Sequence, residues 1–343
     1  MNTIIKILFS IICLSVIIIL HELGHMIAAK LCGITVKEFC IGFGPTIYEK
    51  QMRETSFKIK LLPILGYVNI SGMTEEDESD PRGYNKKPII KRIFTISAGA
   101  IANFITAILI FTTLFTFNGN FNKSAGNVLS LVSEGTPAAV AELKVNDKII
   151  KVNDINVASA DDINAITKNY ADKPVKITID RNGTIIEKNI TLSHRIVDGK
   201  TAGLLGVTFA PQKEPLFTAF IDSFKETGTI IKDSFTTLPA AIMKDGIKAF
   251  SGPIGIAKIT SNALTDGVWF FVYVMGLIAV SIGYFQLIPF PGLDGGWLLF
   301  LIYEAITRKK PSTKVVNVVQ STGIMVLLLF IAVITIKDIF FGV

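Results

Sequence analysis

The chain has 343 residues, half of them are hydrophobic, and its mean hydropathy is +0.51. Soluble globular domains of this length seldom have such a composition, so the composition argues against a soluble fold and favours a membrane protein. The formal net charge is only +6, and the basic residues of the loops between apolar stretches are explained by membrane topology, which leaves little support for a nucleic-acid partner.

Four stretches are apolar enough and long enough for a helix to cross a bilayer, which takes roughly 20 residues. An alternative for the first stretch is a cleaved secretory signal, because Lys6 precedes an apolar run. That run continues into His21, however, and lacks a small-x-small cleavage pattern. The sequence therefore predicts a multi-pass α-helical membrane protein with four transmembrane helices, at residues 4–29, 93–117, 268–288 and 315–336.

Lys and Arg residues predict the orientation of these helices, because short cytoplasmic loops carry the excess of positive charge. The loop of residues 30–92 is rich in both, and Arg308, Lys309, Lys310 and Lys314 precede the fourth span. Both loops are therefore expected in the cytoplasm, with both termini and residues 118–266 outside. None of the three cysteines lies in that outer segment, so no disulfide framework is expected there.

The loop of residues 30–92 contains a small β element next to the membrane. Gly42–Pro45 is typical of a turn, and the run Ser56–Leu62 alternates apolar and polar residues as a strand does. A second short run, Gly66–Ile70, follows Pro63. Residues 1–117 are thus interpreted as a first membrane segment and residues 267–343 as a second.

Residues 118–200 have the pattern of a compact α+β domain. Asn182-Gly183 is a hairpin signal between two strand-like runs. The predicted strands are 128–132, 148–152 and 175–179, and the predicted helices are 138–143 and 161–169. Residues 201–266 form an amphipathic linker region, with helical spacing of apolar residues from Leu216 to Leu238. That helix is expected either on the membrane surface or packed against the neighbouring domain.

The first apolar stretch ends in the residues that carry chemistry. His21 and His25 are one helical turn apart, so both imidazoles project from the same face and can bind one metal ion. Glu22 lies beside them, where a carboxylate can act as a general base. This is the HExxH arrangement of zinc hydrolases. The chain has only three histidines, and ionisable groups in apolar helices persist chiefly where they have a partner or a function.

A catalytic zinc site needs a third protein ligand. His194 is the remaining histidine, but it lies in the outer segment and is interpreted as a solvated surface residue. Asp294 is the only charged residue between Val268 and Tyr303, and it follows the Pro289–Gly292 break. A buried carboxylate is compensated by a metal ion, although a capping aspartate at a helix kink is the alternative. Gly295 and Gly296 are expected to let the backbone approach the site or a substrate strand.

Taken together, these motifs resemble the site-2 protease family of intramembrane zinc metalloproteases, in its bacterial branch that cleaves anti-sigma factors. The resemblance covers almost the whole chain in the family's order. It rests on His21-Glu22-Leu23-Gly24-His25, Gly42-Phe43-Gly44-Pro45, Gly252-Pro253-Ile254-Gly255-Ile256 and Pro289-Phe290-Pro291-Gly292-Leu293-Asp294-Gly295-Gly296.

The resemblance implies that Zn²⁺ is bound by His21, His25 and Asp294 and that Glu22 is catalytic. The outer α+β domain resembles one PDZ domain, and the β element resembles a membrane-associated β-loop that presents the substrate as an extended strand. The expected substrate contacts are Tyr67, Val68, Asn103 and Gln286. Three positions depart from the family pattern, with Gln286 for Asn, Ala100 for Pro and Trp297 for His. None removes a ligand or the general base.

The expected function is cleavage of single-span membrane proteins, such as anti-sigma factors or remnant signal peptides, in the lipid of the bacterial cytoplasmic membrane. Two other functions use the same residues differently. A metal or solute transporter would use them as a transit site, and an inactive scaffold would offer its PDZ domain to partners. The sequence leaves open the individual substrate, the cut site, the oligomeric state and whether the PDZ domain binds C-termini or excludes large substrates.

Overall fold

The computed structural model describes residues 3–74, 79–121, 125–197 and 200–340. The chain divides into two compact units: the membrane unit, Met1–Thr112 with Phe220–Val343, and the inserted unit, Thr113–Ala219. The helices are α1 (Thr3–Leu31), α2 (Ile89–Phe117), α3 (Pro137–Val140), α4 (Ala160–Thr167), α5 (Leu216–Asp245), α6 (Pro253–Asp266), α7 (Val268–Gln286), α8 (Asp294–Thr307) and α9 (Thr313–Phe340).

Four of the described helices, α1, α2, α7 and α9, are long and apolar enough to cross a membrane. They contain the four predicted spans, except that α7 ends at Gln286, two residues before the predicted end. Hydroxyl groups inside these helices donate to the carbonyl one turn earlier, as Ser15 does to Ile11 and Thr106 to Ala102. Polar side chains can therefore lie in an apolar helix without unsatisfied donors. The predicted fold class, a four-span membrane protein with an inserted α+β unit, is confirmed.

The Gly252–Ile256 motif begins α6 and is tied to α9. Asp338, which is fully buried, accepts hydrogen bonds from the backbone N–H groups of Gly252 and Gly255 at 2.8 and 2.9 Å. Its carboxylate also lies 2.9 Å from the Lys337 ammonium group. A carboxylate on the first N–H groups of a helix compensates their partial positive charge. The motif therefore fixes α6 against the last membrane helix.

The β element consists of β1 (Val36–Met52) and β2 (Thr55–Ile70), which pair antiparallel with several register shifts. Glu38–Ile41 pairs with Ser56–Ile59 on one side and with Gly66–Asn69 on the other. The run Gly66–Ile70 therefore lies at an edge of this sheet in the part of the chain that the structure describes. The predicted turn at Gly42–Pro45 lies within β1, where positive φ angles at both glycines bend the strand.

The inserted unit contains β3 (Leu129–Val132), β4 (Lys148–Val152), β5 (Ile155–Asn156), β6 (Pro174–Arg181), β7 (Thr184–Thr191), β8 (Ser193–Val197), β9 (Lys200–Leu204) and β10 (Val207–Phe209). Its largest sheet has the order β5-β4-β6-β7, and β3 pairs with β10. The predicted hairpin joins β6 to β7, with left-handed φ angles of 53° at Asn182 and 85° at Gly183. Alternating residues of these strands, such as Ile177 and Ile179, are fully buried in one apolar core.

An ion pair with a buried carboxylate links the start of β4 to the end of β6. Asp147 is 1% exposed, and both of its oxygens accept hydrogen bonds from Arg181 at 2.7 Å. Burial opposes ionisation of Asp147, but the hydrogen bonds from Arg181 and from the Lys144 backbone outweigh it and hold the pKa of the carboxyl group below its usual value. The carboxylate stays charged at neutral pH and keeps the β6 end in place.

The predicted boundary at residue 200 needs correction, because it falls inside the inserted unit. β10 pairs with β3, so residues 201–209 complete the strands of this unit. Residues 253–266 form helix α6 and are not a linker. The amphipathic helix is α5, which extends past its predicted end and contains Pro239. It packs within the membrane unit, where the Phe235 ring contacts Tyr284 of α7 edge-to-face.

Candidate metal centre

Three side chains from two helices converge at one point of the membrane unit. His21 and His25 lie one turn apart on α1, and both are almost fully buried. Asp294 is the first residue of α8. The Nε2 atoms of the two histidines are 3.1 Å apart, and Oδ2 of Asp294 lies 3.4 Å from the first and 3.2 Å from the second. Among the described residues, this is the group whose ligand atoms could hold a metal ion together.

The spacing of these atoms fits a tetrahedral zinc ion. Zinc binds imidazole nitrogen and carboxylate oxygen at about 2.0–2.2 Å, which places neighbouring ligand atoms of a tetrahedron about 3.3–3.6 Å apart. The three observed distances, 3.1, 3.2 and 3.4 Å, fall close to this spacing. Oδ2 of Asp294 is also buried without a hydrogen-bond partner among the described residues. A buried carboxylate oxygen beside two imidazole nitrogens needs a cation, and a metal ion supplies one.

Each histidine is held from behind by a residue of α2. Nδ1 of His25 lies 2.9 Å from the backbone oxygen of Thr95, so Nδ1 carries the proton and Nε2 is free to bind. Nδ1 of His21 lies 3.2 Å from the side-chain amide of Asn103, which is fully buried. The amide oxygen of Asn103 has no partner among the described residues. In the nearly isosteric amide orientation, that oxygen accepts the Nδ1 proton and leaves Nε2 of His21 free.

The Asn103 contact predicts the effect of a substitution. We expect Asn103→Ala to weaken zinc affinity by about 10-fold to 100-fold, the usual cost of losing such a partner behind a metal ligand. Asn103→Asp should restore most of it, because a carboxylate also accepts the Nδ1 proton. Zinc affinity of the purified chain, measured by competition with a chelating dye, checks this. Native affinity in Asn103→Ala would mean that the amide does not orient His21.

The Pro-Gly break places Asp294 at the start of α8. Gly292 has a left-handed φ of 96°, and its N–H donates a 2.5 Å hydrogen bond to Oε1 of Gln320 on α9. Gln286, at the end of α7, accepts a 3.4 Å hydrogen bond from the backbone of Asp294. The predicted role of Gly295 and Gly296 needs correction. Gly295 packs against the backbone carbonyl of Ile288, just before the break, and Gly296 against that of Phe290 within it, where a Cβ atom would overlap.

Glu22 lies between the metal-binding atoms and the edge of the β element. Its side chain forms a hydrogen bond with the backbone of Val68 and interacts electrostatically with His21 and His25. The backbone of Gly66 lies near the same side chain, since a Cβ atom added there would be 3.8 Å from Cγ of Glu22. A carboxyl group is thereby positioned between the two imidazoles and the edge of the β element.

The predicted residues separate into three groups. His21, His25, Asp294 and Glu22 are brought together, and the Gly66–Ile70 edge with Val68 lies beside them. Asn103 contacts His21 and is fully buried, so in this structure it faces a candidate ligand instead of open space for a substrate. His194 is exposed and lies 3.0 Å from Asp172, as expected of a surface histidine. The sequence reasoning missed the Thr95 carbonyl and Gln320.

The chain is similar to known proteins over most of its length. Residues 9–330 match the sequence profile of peptidase family M50. A protein of Clostridium perfringens that is named as a zinc metalloprotease is 31% identical over 341 residues, which cover 98% of this chain and 99% of the relative. The zinc metalloprotease RasP of Shouchella clausii is 27% identical over 407 residues, which cover 95% of this chain and 96% of RasP.

Two further similarities cover a smaller share of the chain. The metalloprotease MmpA of Caulobacter vibrioides is 30% identical over 345 residues, which cover 86% of this chain and 85% of MmpA. The solved PDZ domain of the SdrC-like protein of Listeria monocytogenes is 21% identical, with a TM-score of 0.22. The match covers 26% of this chain and 92% of that domain.

Proposed function

The chain belongs to peptidase family M50, and from this premise we propose that it is an intramembrane zinc metalloprotease that cuts single-span membrane proteins within their transmembrane segments. It is a multi-pass membrane protein and a zinc metalloprotease, in keeping with the relatives that carry that name. The observation that carries the proposal is the convergence of His21, His25 and Asp294 on one point with Glu22 on the same turn of α1.

His21, His25 and Asp294 would hold the zinc through two nitrogens and one oxygen, a ligand set that suits this metal and leaves a position open. Zinc bound there would act as a Lewis acid that polarises a peptide carbonyl and lowers the pKa of water toward neutral. Thr95 and Asn103 fix the orientation of the two imidazoles. His21 and His25 lie one turn apart on α1, and Asp294 is the first residue of α8. All three ligands are therefore held by rigid helices.

Glu22 performs the proton transfer in this proposal. Its carboxylate accepts a proton from the attacking water and then donates that proton to the amine that leaves when the peptide bond breaks. The Val68 backbone forms a hydrogen bond with this carboxylate and so holds it beside the edge of the β element. Because the side chain is not one of the three converging ligands, acid–base chemistry and metal binding reside on different residues.

The edge run Gly66–Ile70 supports an extended substrate. A transmembrane helix hides its peptide bonds in internal hydrogen bonds, so a protease must unwind it before cleavage. An unpaired sheet edge supplies backbone hydrogen bonds to an added strand. Tyr67 and Val68 lie on this edge beside Glu22, which supports the proposal that a substrate strand added there meets the catalytic group. Gln286, which contacts the Asp294 backbone, is the proposed contact on the opposite side.

The proposed protease has a defined orientation in the membrane and a defined class of substrates. In this proposal the β element and the α8–α9 connection, which carry the basic loops, lie in the cytoplasm, and the inserted unit, which resembles a PDZ domain, lies outside. The membrane is then the bacterial cytoplasmic membrane, and cleavage releases a fragment into the cytoplasm. Anti-sigma factors and remnant signal peptides, once shortened outside by another protease, are the proposed substrates.

The test uses the purified full chain in lipid vesicles with a tagged single-span substrate whose outer region has been removed. We expect cleavage inside the transmembrane segment, its loss with a membrane-permeable zinc chelator, and its recovery when zinc is added back, because the metal supplies the Lewis acid. A non-chelating isomer of the same compound is the control. Cleavage that persists at full rate without bound zinc would contradict the proposal.

A further inference from the structure

A second site lies where α2, α8 and α9 begin or end on the side of the basic loops. One cavity of about 250 Å³ is lined by residues that include Tyr84, Arg92, Trp297, Glu304 and Ser312. A more open cavity of about 530 Å³ adjoins it and shares Lys86, Arg92, Glu304 and Lys310 with it. We call the two together the basic cavity. None of its residues is a metal ligand or general base in the proposed protease site.

The basic cavity carries excess positive charge. Among the residues that the structure describes, Glu304 is the only acidic one that lines either part. It is engaged by Arg92, which forms two parallel hydrogen bonds with its carboxylate at 2.8 and 2.5 Å. This bidentate pair is nearly buried, so its charges cancel locally. The positive charge that remains comes from Lys86, Lys87, Arg308 and Lys310.

A buried hydroxyl group also points to a ligand. Tyr84 lines the cavity and is 3% exposed, yet its hydroxyl has no hydrogen-bond partner among the described residues. Buried hydroxyl groups normally have a partner, so the Tyr84 hydroxyl is available to a ligand that enters the cavity. Ser312 and Thr313, at the start of α9, line the same cavity. Hydroxyl groups and the first N–H groups of a long helix both donate to phosphate oxygens.

We propose that the basic cavity binds the phosphate group of an anionic lipid headgroup. The cavity lies at the ends of α2 and α9, two helices that are long enough to span the membrane. Headgroups occupy that level, and basic pockets between transmembrane helices on the cytoplasmic side attract anionic lipids. Ile90 and Ile306, each within two residues of the cavity lining, are 76% and 77% exposed. They offer apolar surface to the acyl chains of such a lipid.

The probes are short-chain phosphatidylglycerol, short-chain phosphatidylcholine and inorganic phosphate, each added to the full chain in detergent. The readout is binding followed by quenching or enhancement of Trp297 fluorescence in a Trp269→Phe background, since Trp297 lines the cavity. Phosphatidylglycerol should bind, and the double substitution of Lys86 and Lys310 by Gln should weaken binding by about 30-fold, the loss expected for two basic contacts near a membrane surface. Replacing Lys232 and Lys244 by Gln removes the same charge elsewhere and is the matched control.

Tyr84→Phe removes only the hydroxyl group and should weaken binding by about 10-fold to 150-fold, the cost of one hydrogen bond to a charged group. It keeps the test valid if the double variant does not fold. Binding of inorganic phosphate that is equally sensitive to Lys86, Lys310 and Tyr84 would support the phosphate site with a free anion as its source. Equal binding of phosphatidylcholine, or binding that none of these substitutions weakens, would overturn the proposal.

Discussion

Glu22→Gln should abolish proteolysis and leave zinc in place. The amide has nearly the same size as the carboxylate and keeps an oxygen for the Val68 backbone hydrogen bond. It cannot accept a proton from water, and general acid–base groups typically contribute about 100-fold to 10,000-fold to a rate. The three converging ligand atoms belong to other residues. We therefore expect the cleavage rate to fall by that factor with native zinc content.

Two measurements on the same preparation make this prediction sharp. Cleavage of the tagged single-span substrate gives the rate, and elemental analysis gives zinc bound per chain. Glu187→Gln is the matched control, because Glu187 is an exposed residue of β7 that pairs with Lys176. Its rate should match that of the native chain. A Glu22→Gln chain that cuts at the native rate would remove Glu22 from the mechanism, and one that loses zinc would make Glu22 part of the metal site.

The sequence predicts the metal ligands because their signal is local or compositional. His21 and His25 are related by the period of the helix, which fixes their common face before any packing is known. Asp294 is conspicuous because it is the only charged residue in a long apolar stretch, where a lone charge is costly. Neither inference requires knowledge of which helices are neighbours. The structure adds the distances that join them.

The residues behind the ligands were harder to predict, because they depend on how α2 packs against α1. The Thr95 partner of His25 is a backbone oxygen, which leaves no mark in the side-chain sequence. The Asn103 contact with His21 joins residues 82 positions apart. The pattern of apolar residues predicts that α2 crosses the membrane, but it does not specify which face meets α1.

The β regions show the same limit in another form. Alternation identified Ser56–Leu62 as a strand, and Gly66–Ile70 was predicted as a second short run after Pro63, but the pairing of Glu38–Ile41 with both runs depends on bends and register shifts in β1. Short strands such as β10 are stabilised by a distant partner, β3, and have little propensity of their own. The boundary placed at residue 200 was therefore wrong, since the strand that completes the inserted unit follows it.

The packing of α2 against the two histidines leads to the second large prediction, for Gly99→Ala. A Cβ atom at Gly99 would overlap Nε2 of His25 and lie 2.6 Å from Cε1 of His21. Real Cβ atoms do not approach other atoms so closely, and both rings are nearly buried, so the imidazoles must move. We expect zinc affinity to fall by at least about 100-fold, the upper end of the cost of disturbing a ligand's surroundings. Proteolysis should be lost with it.

The same substitution should not harm the helix itself, which separates a defect of the metal site from a defect of folding. Alanine is a better helix former than glycine by about 0.8–1.0 kcal/mol, so α2 gains local preference while the site loses its geometry. Gly228→Ala in α5 is the matched control, because a Cβ atom there meets nothing within 4 Å. It should keep native zinc affinity and cleavage. If Gly99→Ala also binds zinc with native affinity, the histidine rings can shift without cost, and the close contact of α1 with α2 does not determine the metal site.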